Sequence, residues 1–173
     1  TEEPVDLIQR AMVELGLGKG RIGVEQSGFS FLPIASFHAL SAHFPNAEIV
    51  NGSGLVEKER AIKSPAEIGY IREAAAISGI GIQASVDHTH EGVTESVVAG
   101  EISKAMVTAG GEYAGLPVFL NSGHRTLAAH ATPTHKVIEK GETVFVELTG
   151  VVNRYAGPLF RTLCVGEPDP TLA

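Results

Sequence analysis

The sequence has no tryptophan, two methionines and a single cysteine, Cys164, and aromatic residues make up only 6% of its 173 positions. One thiol cannot form an internal disulfide, and neither a Cys-x-x-Cys nor a His-Glu-x-x-His pattern is present, which excludes those sequence-readable redox and zinc motifs. Charge is sparse at 19%; thirteen Lys and Arg against twenty Asp and Glu leave a net charge of −7, with no basic run. Nucleic acid and anionic membrane surfaces are therefore not expected partners. Apolar stretches are broken by Gly, His or charge well short of the roughly 20 residues a membrane-spanning helix needs. The acidic start Thr1-Glu2-Glu3 does not read as an export signal, so a reducing cytoplasm is the expected location. What the sequence does have is 43% hydrophobic residues and a mean hydropathy of +0.13, enough for a packed core.

Periodicity divides the chain in two. Over residues 5–15, Ile8, Ala11, Met12 and Leu15 recur at helical spacing, with Pro4 suited to a first turn and Gly16 to a stop. Arg21-Ile22-Gly23-Val24-Glu25 reads as a strand, Phe31 to Phe44 as an amphipathic helix closed by Pro45-Asn46, and Ala47-Glu48-Ile49-Val50 as a second strand. Strands separated by helices of this length form βαβ units with parallel pairing. After the turn-rich Asn51-Gly52-Ser53-Gly54, Ser64-Pro65-Ala66-Glu67 supplies a capping box with proline at the first helical position, which predicts a helix from Pro65 to near Val86. Another helix opens at Thr94-Glu95 and stops at Gly110-Gly111. Beyond it the pattern alternates: Val144 to Thr149 and Leu159 to Val165 are predicted strands joined through Asn153. The predicted class is α+β, with the end of an α/β unit in residues 1–58 and two long helices followed by antiparallel strands in residues 59–173.

From Arg60 onward the chain carries a series of short motifs in order: Ala61-Ile62-Lys63-Ser64-Pro65-Ala66-Glu67-Ile68, Ile71-Arg72-Glu73-Ala74, Gly92-Val93-Thr94-Glu95, Ser122-Gly123, Ala129-His130, Lys140-Gly141-Glu142-Thr143-Val144, and Arg161-Thr162 with Gly166. In that order and spacing they resemble the creatinase/prolidase family, whose catalytic domain has the pita-bread fold. The resemblance implies that residues 1–58 are the C-terminal part of the family's N-terminal domain. Residues 59–173 then form the first half of a pita-bread domain, in a protein roughly twice this size. A piece of that extent is expected to be inactive alone and prone to associate. The whole is expected to be a homodimer acting on a small-molecule substrate.

In the metallopeptidase members of that family, two strands each present an aspartate to a pair of divalent ions, and the matching positions here are Glu147 and Pro158. Proline cannot ligate, and two ions about 3.5–4 Å apart need several carboxylates to neutralise them. The expectation is therefore a site without a cofactor. The alternative is an Xaa-Pro dipeptidase or aminopeptidase with one or two ions such as Mn, Co or Zn, for which Glu147 would be a ligand. A non-catalytic member of the fold is a third reading.

The family also contains creatinase and ectoine hydrolase, which cleave C–N bonds in guanidine- or amidine-like solutes. The carboxylate that creatinase places before the Arg-Thr pair is Phe160 here, whereas Glu147-Leu148, Arg154-Tyr155, Pro158 and Arg161-Thr162 resemble the ectoine hydrolase branch. The resemblance then implies Glu147 as nucleophile or general base toward a cyclic amidinium, and His130 as the shuttle that carries a proton to the departing nitrogen. His124 and Arg125 are the candidates to contact a substrate carboxylate, with an ordinary loop turn as the alternative.

Pattern alone gives blander readings. Glu147 alternates with Val144, Val146 and Leu148, which is the solvated side of a half-buried strand. Asp87-His88-Thr89-His90-Glu91 reads as a solvated helix end, because five consecutive residues cannot converge on one ion. Arg161 is expected to brace the strands, and Cys164 to be a small core residue.

Overall fold

The computed structural model describes residues 4–26, 32–113 and 116–168. The sequence features at Thr1-Glu2-Glu3, at Phe31 and beyond residue 168 lie outside them. The chain divides into two compact units, Thr1–Ile62 and Lys63–Ala173.

In the first unit α1 (Pro4–Glu14), β1 (Gly20–Val24), α2 (Ile34–His43), β2 (Ala47–Asn51) and α3 (Leu55–Ala61) follow one another. The two strands pair in parallel, with Ile22 opposite Ile49 and Val24 opposite Asn51, as the strand–helix–strand order predicts. The second helix begins three residues after Phe31 because Pro33 occupies its N-cap and proline pushes the preceding residue out of helical geometry. Val24, Leu40 and Phe44 form a small core, with Met12, Ile22 and Phe37 packed against it. The helix α3 follows the turn-rich Asn51-Gly52-Ser53-Gly54, where the sequence pattern shows no element; its Glu57, Lys58 and Arg60 are solvated, and Gly54, with φ 82°, supplies the left-handed entry.

The second unit is built on α4 (Pro65–His88) and α5 (Glu95–Thr108), which pack against an antiparallel sheet of β3 (Phe119–Ser122), β4 (Thr143–Val152) and β5 (Tyr155–Cys164) in that spatial order. The capping box forms as the sequence predicts. The Ser64 N–H donates to Glu67 Oε2 at 2.7 Å and Ser64 Oγ accepts from the Glu67 N–H. With the Tyr155 hydroxyl donating to its other oxygen at 2.8 Å, these bonds, that from the Ser64 N–H foremost, hold the Glu67 carboxyl down at about 2. One face of β4 (Val144, Val146, Leu148) joins Leu120 of β3, Ile77 and Ala84 of α4, and Val98, Ile102 and Met106 of α5 in a single apolar core. Burying each of the larger of these side chains contributes about 1.5–3 kcal/mol. The other face carries Phe145 and Glu147.

Where α4 crosses the β4–β5 hairpin, Gly150 and Gly157 stand opposite each other in register, and a Cβ at either would overlap the α4 backbone at Ala74 or Ala75. Ser78, fully buried, closes that crossing: its hydroxyl donates to the Gly157 carbonyl and accepts from the Gly150 N–H at 2.6 Å. Ser78→Ala leaves both strand groups without that partner in a space closed to water. It should lower unfolding stability by about 1–3 kcal/mol, measured by denaturant titration of the full-length protein. An unchanged midpoint would show that the glycine packing alone holds the crossing.

Candidate functional site

Three strands bring the site together by register. Phe119 on β3 and Phe160 on β5 are the cross-strand partners of Glu147 on either side, so its carboxylate rises from the open sheet face between two aromatic neighbours. Phe145, two residues along β4 on the same face, has its ring centroid 6.4 Å from that of Phe160. The alternation read from the sequence is therefore the real one, with Val144, Val146 and Leu148 in the core and Glu147 on the opposite side.

His130 reaches Glu147 from a loop. A 3-10 helix, Gly123–Leu127, follows β3, and the chain then turns back over the sheet. The imidazole stacks on the Phe119 ring, with centroids 4.7 Å apart and planes inclined by 25°. Its Nε2 lies 3.2 Å from Glu147 Oε2. The carboxylate side chain is 20% exposed and the imidazole 62%, so the acid is sheltered and the ring faces solvent. The His130 backbone has φ 58°. A left-handed conformation costs a non-glycine residue about 1–2 kcal/mol and persists only where the surroundings fix it.

Those surroundings centre on Glu95, which the sequence motif showed only as a helix start. Its side chain is fully buried at the first turn of α5 and accepts from the Ser122 N–H (2.8 Å), the Ser122 hydroxyl (2.9 Å), the Thr134 N–H (3.0 Å), the Thr134 hydroxyl (2.8 Å) and the Arg125 guanidinium. Burial works against its charge. The hydroxyl and N–H of Thr134 and those of Ser122 outweigh it and hold the carboxyl below its ordinary range. Arg125, expected to meet substrate, directs its guanidinium inward to Glu95, to Thr134 Oγ1 at 2.6 Å and to the Thr132 carbonyl at 3.0 Å. His124, one residue earlier, is exposed, and its charge helps lower Glu142, whose burial is opposed chiefly by Lys136 Nζ donating at 2.6 Å.

Asn121 is also fully buried. Its Nδ2 donates to the Ala128 carbonyl at 3.0 Å while Oδ1 has no hydrogen-bond partner. A buried acceptor left unpaired costs about 1–3 kcal/mol. Neither Asn121 nor Phe119 was found from sequence, because β3 is too short and too polar to show a strand period.

Residues Asp87 to Glu91 form the end of α4 and the turn after it; Asp87 accepts from Gln83 at 2.8 Å, and His90 contacts its neighbour's carbonyl. Arg161 donates to the Phe160 carbonyl at 2.8 Å, and Cys164 is half-buried in β5. Among the described residues no helix is long and apolar enough to cross a membrane.

A carboxylate and an imidazole in contact on an open sheet face are groups between which a proton can pass. The family model for metallopeptidase family M24 matches residues 69–173, and the chain belongs to that family. It is 31% identical over 155 residues to the uncharacterised peptidase YqhT of Bacillus subtilis, covering 90% of this chain and 43% of that protein. To the ectoine hydrolase of Halomonas elongata it is 30% identical over 175 residues, covering 95% and 44%. The solved Xaa-Pro dipeptidase from Bacillus anthracis superposes with a TM-score of 0.84 at 31% identity, covering 99% of this chain and 47% of that one. The fold is thus that of the pita-bread structures, and the chain spans a little under half the length of these relatives.

Membership corrects the expectation of a site without a cofactor. The family is one of metallopeptidases, and Xaa-Pro dipeptidases stand among the relatives, so freedom from metal does not follow from the resemblance. Pro158 is one position in a chain that spans only part of its relatives' length. Within this chain the donor set is nevertheless short. Glu147 and His130 meet, Pro158 and Phe160 add no ligand atom, and among the described residues no three His, Cys, Asp or Glu side chains converge. The described residues do not fit a metal centre by themselves.

Proposed function

We propose that this chain carries the Glu147–His130 part of a hydrolytic site that cleaves a C–N bond in a small nitrogenous substrate, with a cyclic amidine of the ectoine type as first choice. The contact of 3.2 Å between His130 Nε2 and Glu147 Oε2 carries the reading. Glu147 takes a proton from water as the water oxygen bonds to the amidinium carbon. The protonated His130 then gives a proton to the nitrogen whose bond to that carbon breaks; the bonding pair leaves with the nitrogen, and the C–OH proton passes to that amine as the amide carbonyl forms. An amidinium and water become an amide and a protonated amine, and both side chains return to their starting state once the proton passes across their contact.

A carboxylate between Phe119 and Phe160 also suits a planar cation, through a charge-assisted hydrogen bond and ring faces. The likeness to an ectoine hydrolase over 95% of the chain supports the choice of substrate. His124, exposed on the 3-10 helix, is our candidate for the substrate's acidic end. Residues 1–58 are read as the end of an N-terminal domain.

A second reading, an Xaa-Pro dipeptidase, is supported by the 30% identity to the Pyrococcus furiosus enzyme over 66% of this chain. Assaying the full-length protein against ectoine, creatine and an Xaa-Pro dipeptide separates the two. Ring opening of ectoine is expected; turnover of the dipeptide alone would replace the first reading with the second. The full-length protein is read as a homodimer, and light scattering decides that.

A further inference from the structure

We propose that Asn121, Arg125 and Glu95 are positioning residues of this site, gripping the His130 loop on both sides so that the imidazole stays on Phe119 and within reach of Glu147. The inference rests on the reading of His130 as proton carrier.

The grip is symmetric about His130. Two residues before it, the Ala128 carbonyl accepts from Asn121 Nδ2 at 3.0 Å, and two residues after it, the Thr132 carbonyl accepts from Arg125 Nη2 at 3.0 Å. Both donors sit on the β3–3-10 segment, which is itself fastened by Glu95 through Ser122 and Arg125. Glu95 also takes the N–H and hydroxyl of Thr134, so one buried carboxylate ties the start of the excursion to its end. Between those anchors His130 adopts φ 58°, a conformation that a free loop leaves. The unpaired Oδ1 of Asn121 fits the same account, since the amide is turned to serve the loop through Nδ2. Apart from the His130–Glu147 contact itself, no hydrogen bond among the described residues holds residues 129–131 to the sheet.

The test uses the full-length protein with histidine and phenylalanine selectively labelled, and reads the nuclear Overhauser effect between the His130 and Phe119 rings. Arg125→Lys keeps a charge beside Glu95 but loses the fork that spans Glu95 and Thr132. Asn121→Leu removes the bond to Ala128 together with the unpaired oxygen, so the fold is retained. Each variant is expected to weaken the ring–ring signal by at least half and to lower kcat about tenfold with KM within about twofold. A signal unchanged in both variants overturns the proposal whatever the activity. A higher KM at constant kcat in Arg125→Lys also overturns it, placing that side chain on substrate. The ring–ring signal reports position alone, so it succeeds or fails independently of the catalytic reading, which the activity of Glu147→Gln decides.

Discussion

Glu147→Gln in the full-length protein should lower kcat by about 10²–10⁴-fold, the range that a positioned acid–base group supplies and equivalent to about 2.7–5.5 kcal/mol of barrier. The change is nearly isosteric. Glutamine cannot accept a proton from water at neutral pH, and its amide offers His130 either a weaker acceptor or a competing donor. The fold should not register it, because the side chain is already partly exposed and its ion pair among the described contacts is with His130 alone. Unfolding midpoints within about 0.5 kcal/mol of wild type are therefore part of the expectation. His130→Asn, which keeps a residue tolerant of the left-handed backbone at φ 58°, should produce a loss of similar order. The double variant should fall little further, since two members of one proton-transfer unit are not additive. Activity of Glu147→Gln within about twofold of wild type would remove the carboxylate from the reaction.

The parts of this site that sequence could reveal are those determined by nearby residues. Alternation along Val144-Phe145-Val146-Glu147-Leu148 places Glu147 on the open face, because a strand's period of two depends only on its own side chains. The helix start at Ser64 was equally local: the donor and acceptor of its capping box are three residues apart. The strand β3 was not legible. Phe119-Leu120-Asn121-Ser122 is half polar; Ser122 is buried because Glu95, 27 residues earlier, takes its N–H and hydroxyl, and Asn121 is buried with Nδ2 on the Ala128 carbonyl and Oδ1 unpaired, none of which a strand period shows. Gly150 and Gly157 are visible as glycines, but the α4 backbone that forbids a side chain there, at Ala74 and Ala75, is about eighty residues away in the chain. Family motifs filled only part of this gap. They carried Gly92-Val93-Thr94-Glu95 and Ala129-His130 as separate matches and said nothing of the bonds that join them through Thr134 and Arg125. The absence of a cofactor rests on one proline, a single local position, and it is the expectation that family membership overturns.

Glu95 is where the largest loss of stability is expected. A glutamate in the first turn of α5 is favoured by the helix dipole wherever it points, and charged side chains are seldom fully buried unless paired. This one is fully buried and paired, with hydrogen bonds from Ser122, Thr134 and Arg125 across 27 to 39 residues of chain. Removing it by Glu95→Ala strips those donors of their acceptor and leaves the Arg125 guanidinium, 24% exposed, without its counter-ion. Breaking one side of such a buried pair costs about 3–5 kcal/mol. Glu95→Gln should cost less, since the amide oxygen still accepts from Ser122 or Thr134 while its NH₂ faces one donor too many.

The pH dependence follows from the direction of the shift. The folded carboxyl titrates below the ordinary value of 4.5, so the unfolded chain takes up the proton first as pH falls. Its contribution to stability is complete above 4.5 and is lost as the pH drops through the folded value. Denaturant titrations of wild type and Glu95→Gln from pH 7 to pH 3 should therefore converge, with the gap widest at neutral pH. A gap that stays constant across that range would mean that the carboxylate's charge contributes nothing and that shape alone fixes α5 against β3 and the His130 loop.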